Sequence, residues 1–179
     1  MLTITIPTVE QYDEVNNEFI TLKAVTLLVE HSLVSLSKWE SKWCKPFLSK
    51  TDKTLEETVD YISCMTITQN VPPDIYKRID DLIIQQVNDY IDRPMTATVI
   101  SNQKSRTNRE IITAELIYYW MIALVIPFEC QKWHLNRLLT LINVCNIKNG
   151  PPKKMSQREL MSRNANLNSS RRQSLNSKG

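Results

Sequence analysis

The chain has 179 residues, 42% hydrophobic and 23% charged, and this length suffices for one domain whose core needs no disulfide or metal. The formal net charge of +3 is unevenly distributed, because residues 1–150 carry −3 and residues 151–179 carry +6. The only glycines are Gly150 and Gly179, which excludes the glycine-rich loops that bind nucleotide phosphates.

The N-terminal residues alternate between apolar and polar side chains. Leu2, Ile4 and Ile6 are separated by threonines, a pattern that predicts a short strand ended by Pro7. The segment 19–28 is rich in β-branched residues and is the expected partner strand. The rest of the chain gives no comparable β pattern, so we expect one small N-terminal β element.

Three helices are predicted in the first half of the chain. The first begins near Leu33 and stops before Pro46, because the residue before a proline disfavours helical backbone. A capping box formed by Thr54 and Glu57 opens the second. The third carries an apolar face over residues 83–91 and ends before Pro94. Loops are expected over residues 49–53 and 101–109.

Two apolar helices are predicted to form the centre of the core. Residues 110–126 are nearly all apolar, which predicts a buried helix broken at Pro127. A second helix is expected from about Phe128 to Ile147, in a tight helical hairpin with the first. The apolar run from Leu116 to Phe128 is shorter than the roughly 18 residues that span a bilayer, so we expect no membrane anchor.

The sequence Gly150-Pro151-Pro152 marks the boundary between a folded domain and an arm, since glycine suits a helix C-terminus and proline cannot continue the helix. Residues 151–179 permit a helix but contain too few apolar residues to fold alone, so we expect disorder or ordering on binding. The predicted architecture is therefore mainly α: a compact helical domain over residues 1–150, with a small N-terminal β element and an extended basic C-terminal arm. The arm's candidate partner-binding residues are Lys153, Lys154, Arg158, Arg163, Arg171 and Arg172.

The cysteines and histidines are the candidates for catalysis or metal binding. Cys130 and His134 have a helical i, i+4 spacing, but no second ligand pair with zinc-site spacing lies near them. A cysteine nucleophile would also need an orienting group and an oxyanion hole, for which the sequence gives no motif. We therefore expect no metal, no cofactor and no enzymatic activity. The four cysteines, with no signal-peptide pattern before them, are expected to be reduced thiols filling core space.

Three stretches resemble a family of tailed bacteriophages: HSLVSLSKWESKW (residues 31–43), ELIYYWMIALVIPFECQKWHLNRLLTLINVC (residues 115–145) and the ending MSRNANLNSSRRQSLNSKG. They resemble small proteins labelled tail assembly chaperones and are also similar to the baseplate hub assembly proteins of contractile-tailed phages. The resemblance covers most of the chain, is weakest over residues 49–109, and carries no catalytic motif.

The resemblance implies a non-enzymatic role in building a phage tail or baseplate through protein–protein contacts. Its implied partners are the tape-measure protein, the tail tube or baseplate subunits, with homo-oligomers possible. Its implied location is the host cytoplasm during assembly, or the virion tail or baseplate. The alternative hypothesis is a nucleic-acid-binding module, because the basic arm has the charge to neutralise phosphates. We favour the assembly role because the resemblance implies it, and the acidic body of the same or a neighbouring molecule offers a surface on which the basic arm could dock.

Overall fold

The structure, a computed structural model, describes residues 1–13, 17–49, 52–99, 111–150 and 157–175. The predicted mainly α architecture with a small N-terminal β element is confirmed. Its strands and helices are β1 (Leu2–Ile6), β2 (Val9–Asp13), β3 (Glu18–Leu22), β4 (Val25–Val29), α1 (Leu33–Trp43), α2 (Leu55–Met65), α3 (Asp81–Ile91), α4 (Ala114–Ala123), α5 (Leu135–Asn149) and α6 (Gln157–Leu175). Two 3-10 helices cover Pro73–Arg78 and Phe128–Lys132.

The strands form one long antiparallel hairpin in two halves. In the proximal half β1 pairs with β4, and in the distal half β2 pairs with β3. The end pairs of the two halves are Leu2↔Val29, Ile6↔Val25, Val9↔Leu22 and Asp13↔Glu18. Two residues on each strand separate the halves, so the register continues unchanged across the break. The prediction of β1 is confirmed. Of the predicted partner segment 19–28, the part in β4 pairs with β1, whereas the part in β3 pairs with β2. Strand β2 was not predicted.

The break in the hairpin is held by Arg78, at the end of the first 3-10 helix. Its guanidinium donates hydrogen bonds to the backbone carbonyls of Pro7, Leu22 and Lys23. Pro7 has no backbone N–H and therefore cannot donate to the strand ladder. Arg78 thus fastens both strands to the body of the protein at the point where the ladder is interrupted.

The core is shared among the hairpin and helices α1–α5. One face of the proximal hairpin contributes Ile4 and Leu27, which are fully buried. They belong to a single buried cluster that includes Leu36 of α1, Ile117 of α4 and Leu138 of α5. Helices α4 and α5, the expected centre, do contribute to this core, and the apolar face of the hairpin and the aromatic residues of α1 and α2 are buried as completely.

Side-chain caps fix where four of these helices begin: Ser32 at α1, Thr54 at α2, Asp80 at α3 and Thr113 at α4. Thr54 and Glu57 form the predicted capping box of α2. The buried carboxylate of Glu40 in α1 accepts hydrogen bonds from the backbone N–H groups of Phe47 (2.8 Å) and Ala114 (2.7 Å). Because Ala114 is the first residue of α4, this carboxylate joins α1 to the positive end of the α4 dipole.

The predicted bounds of the last two body helices need correction. Helix α4 begins after its N-cap Thr113 and ends at Ala123, so it is shorter than residues 110–126. Residues 128–132 form a 3-10 helix, and α5 starts at Leu135 rather than at Phe128. The physical reason is the sharp helix end at residues 124–126 followed by Pro127, after which the chain needs several residues to turn.

Two compact units divide the chain, Met1–Asn146 and Ile147–Gly179. In the second unit, Gln157–Leu175 form α6, a helix in which every described side chain is exposed. The arm is thus helical over these residues, although its apolar residues are sparse. Lys153, Lys154 and the expected start of the arm at Pro151 lie outside the described residues.

The shared core predicts different costs for two leucines of similar chemistry. Leu138→Ala should lower the free energy of unfolding by about 2–5 kcal/mol, because Leu138 has no exposed surface and its deletion leaves a cavity. The control Leu82→Ala, at an exposed position of α3, should change it by no more than about 0.5 kcal/mol. Urea denaturation measures both, and equal losses in the two variants would contradict this description of the core.

Candidate functional site

The most concentrated group of buried polar side chains lies where the hairpin ends and α1 begins. His31 and His134 are both buried, and their rings meet edge to face with centroids 5.2 Å apart. His31 Nδ1 shares a hydrogen bond of 2.6 Å with the Tyr61 hydroxyl of α2. The backbone carbonyl of His31 accepts from the N–H of Leu135, which opens α5. This histidine junction therefore joins the hairpin to α1, α2 and α5.

The partners of His134 define its protonation state. Its Nε2 lies 3.2 Å from the carbonyl oxygen of Tyr90, which can only accept, so Nε2 carries the proton. Its Nδ1 accepts from the N–H of Asn136 at 3.3 Å, which requires an unprotonated Nδ1. Both ring nitrogens are thus engaged by the neutral tautomer. The sequence-based pairing of His134 with Cys130 on one helix face was wrong, because His134 precedes α5 and Cys130 lies in the 3-10 helix.

Glu30 closes the junction on the side of α3. Its Oε1 accepts a hydrogen bond of 2.7 Å from the Tyr90 hydroxyl, and its Oε2 pairs with the α-amino group of Met1 at 2.8 Å. Burial, together with the hydrogen bond to this carboxylate, raises the pKa of Tyr90. The phenol therefore stays protonated and donates to Glu30.

Burial sets the titration of the junction. It lowers the pKa of His31 to about 3, with a smaller contribution from the neighbouring His134. Burial also lowers the pKa of His134. Both imidazoles are consequently neutral at neutral pH, and the arrangement serves to position four elements of the fold by directional hydrogen bonds.

The lowered histidine pKa values make stability depend on pH in the mildly acidic range. The unfolded chain binds protons at its histidines near pH 6.5 while the folded chain does not, so stability falls as pH falls below 6.5. Between pH about 7.5 and about 5.5 the free energy of unfolding should drop by about 1–3 kcal/mol. The two phenols that face the junction, Tyr61 and Tyr90, stay protonated throughout this window, because burial raises the pKa of both.

The check is urea denaturation of the wild type and of His31→Gln at both pH values. Because the chain has only two histidines, the variant should lose roughly half of the pH dependence. Because each protein's free energy of unfolding is compared between the two pH values, any pH-independent loss of stability caused by the substitution cancels. A wild type whose stability is equal at the two pH values would contradict the buried neutral pair.

The predicted partner-binding arginines lie on α6 and do not share one face. Arg158, Arg163, Arg171 and Arg172 are all exposed. At about 3.6 residues per turn their positions are distributed around the helix axis. Lys153 and Lys154 lie outside the described residues, so the structure says nothing of them. The arm is thus a basic helix rather than a single basic face.

Sequence reasoning missed an exposed apolar surface on α4 and the turn after it. Tyr119, Ile122, Val125 and Phe128 each expose more than half of their side chains. Tyr119 and Ile122 are three residues apart on α4 and are therefore neighbours on its surface. We call these four residues the α4 patch. The expectation that this apolar stretch is wholly buried was wrong, since α4 buries only Ala114, Ile117 and Met121.

Val125 is the unusual member of the α4 patch. Its φ is 55°, in the left-handed region, where a β-branched residue is strained. The N–H groups of Val125 and Ile126 bond back to the carbonyls of Ile122 and Met121, a helix end at which glycine is the usual residue. The side chain is nevertheless 88% exposed, so packing inside this chain does not account for it.

The rest of the described residues offers little further chemistry. No group of three or more histidines, cysteines or carboxylates is placed there to hold a metal ion. In the same residues, no helix is both long and apolar enough to cross a membrane. Comparisons with models of known families, with curated proteins and with solved structures found no match.

Proposed function

We propose that this protein is a non-enzymatic assembly factor of a phage tail or baseplate, which acts by binding the apolar stripe of a helical client on its α4 patch. The role rests on the resemblance described above, and the tape-measure protein is the client that the chaperone form of that resemblance implies. A long amphipathic helix must have its apolar stripe covered until its final partners arrive.

The observation that carries the proposal is Val125. A strained backbone position usually carries glycine or asparagine unless the side chain is needed there. Here a valine occupies it and is exposed, and its N–H bonds to the carbonyl of Ile122, which is also exposed. Contiguous exposed apolar residues mark binding surfaces for other proteins. We infer that the valine is kept for contact with a partner.

The surroundings of the α4 patch favour a client with basic flanks. Glu115 lies exposed one turn before Tyr119, and Glu129 lies exposed directly after Phe128. Carboxylates at the rim of an apolar surface raise the association rate with basic partners more than they raise the binding affinity. A leucine-striped helix with lysines on its other face fits this description.

Substituting Val125 separates binding from folding. Val125→Asn should raise the free energy of unfolding by about 1 kcal/mol, since asparagine tolerates the left-handed region better than valine. The same variant should weaken the binding of a synthetic Leu/Lys amphipathic helical peptide about fivefold or more, equal to roughly 1 kcal/mol. Thermal melts and fluorescence anisotropy measure the two effects.

Two further variants serve as comparisons. Ile122→Ser removes another member of the α4 patch and should also weaken peptide binding. Leu82→Ser changes a leucine that is 75% exposed on α3 and should leave binding unchanged. If Val125→Asn binds as the wild type does, or if Leu82→Ser loses as much affinity, the α4 patch is not the client site.

The exposed arginines of α6 keep nucleic-acid binding as the alternative function. In that case the protein should bind duplex DNA with a steep salt dependence, and Arg171→Glu with Arg172→Glu should reduce it. Each phosphate neutralised contributes about 0.9 to the slope of log K against log salt. DNA binding that is lost in this variant, with peptide binding unchanged, would favour the alternative.

A further inference from the structure

The distal half of the hairpin exposes an aromatic pair. Tyr12 and Phe19 face each other across β2 and β3, with ring centroids 5.0 Å apart. Their side chains are 45% and 73% exposed. A two-stranded hairpin is only marginally stable alone, and this half packs chiefly on itself among the described elements. It therefore carries apolar area that folding of this chain leaves uncovered.

The base of this distal hairpin is fixed although its outer part is exposed. Arg78 binds the carbonyls of Pro7, Leu22 and Lys23 where the two halves meet. Tyr12 also donates a hydrogen bond to the side chain of Asn17 in the turn. A surface held in place in this way loses less conformational entropy on binding than a free loop does.

The distal hairpin is acidic throughout. No lysine or arginine occurs between Val9 and Leu22 in the sequence. Glu10 and Glu18 are exposed, and Glu18 lies on β3 next to Phe19. Within residues 9–22 the aromatic pair is thus accompanied by acidic and no basic side chains, which favours a basic and partly apolar partner.

Helix α6 has the complementary chemistry. Leu160 and Leu167 are seven residues apart, which places them on one side of the helix, and both are exposed. Arg171 and Arg172 are exposed further along the same helix. The helix combines apolar and basic side chains on a surface that its own unit leaves uncovered.

We propose that the distal hairpin of one copy of the protein binds helix α6 of a second copy. Tyr12 and Phe19 contact the leucines of the helix, and the carboxylates of the hairpin pair with its arginines. Because each chain carries one hairpin and one helix, the contact either is exchanged reciprocally between two copies or joins successive copies head to tail. This self-association involves no residue of the α4 patch and does not depend on the client proposed above.

The test is sedimentation velocity of the full chain over a range of concentrations. The wild type should associate reversibly, and raising the salt from about 0.1 to about 1 M should weaken this, because the Debye length falls from about 10 to about 3 Å. Glu10→Lys with Glu18→Lys should weaken association about tenfold or more through lost attraction and added repulsion. Phe19→Ser should weaken it at both salt concentrations.

Two controls make the result specific. Asp81→Lys with Asp89→Lys makes the same charge change on exposed positions of α3 and should leave association near the wild-type value. The double variant Arg171→Glu with Arg172→Glu should not self-associate when it is the only protein present. Mixing it with the hairpin variant, Glu10→Lys with Glu18→Lys, should restore association. Restored association in the mixture identifies the two surfaces as partners. If circular dichroism shows that both variants are folded and the mixture still does not associate, the proposal is overturned.

Cross-linking decides between a second copy and the same chain. A photoreactive residue replaces Phe19 in an equal mixture of isotope-labelled and unlabelled protein, and mass spectrometry reads the products. Cross-links to α6 that combine labelled with unlabelled peptides support the proposal. Cross-links confined to one label, or a protein that is monomeric at every concentration, overturn it. Peptide binding at the α4 patch is measured separately, so the two proposals fail independently.

Discussion

The arrangement of the helices depends on three consecutive residues, Glu30, His31 and Ser32, that follow the hairpin. The backbone N–H of Glu30 donates to the Met65 carbonyl at the end of α2, and its carboxylate receives the phenol of Tyr90 from α3. His31 contacts α2 and α5, and Ser32 caps α1. Apolar packing alone would allow these helices to slide against one another. Directional hydrogen bonds in a buried setting fix their positions instead.

Local signals sufficed for the parts of the fold whose caps and periodicity agree. The capping box at Thr54 and the apolar spacing of α3 gave both helices near their observed bounds. The same signals failed after Thr113, because α4 is apolar on all sides and its periodicity does not show where the helix ends. The distal hairpin was missed for a related reason: β2 contains Glu10, Gln11 and Asp13, which are poor strand formers, and its pairing depends on the register set by β1.

Composition indicated one candidate binding surface and missed another exposed surface. The candidate it indicated is the basic arm, whose described arginines are distributed around α6. It did not indicate the α4 patch, because the apolar residues there were expected to be buried. A signal for the patch was present in the lack of glycine. Because the body has almost no glycine, other residues must occupy its left-handed backbone positions. Five described residues other than glycine have positive φ: Asn17, Cys44, Asn70, Met95 and Val125. Which of these would be a valine with its side chain in solvent follows only from the tertiary structure.

The uninterrupted register of the hairpin also limits how its length can change. Side chains alternate between the two faces of a strand, so removing one residue from β2 alone would turn every later residue of that strand to the opposite face. Removing matched residues from both strands keeps the pairing of Ile4 with Leu27 and the clamp by Arg78 untouched. Insertions and deletions in the distal half of the hairpin should therefore be tolerated when they change both strands by the same number of residues. The length of the hairpin can then change without any change in the core that supports it.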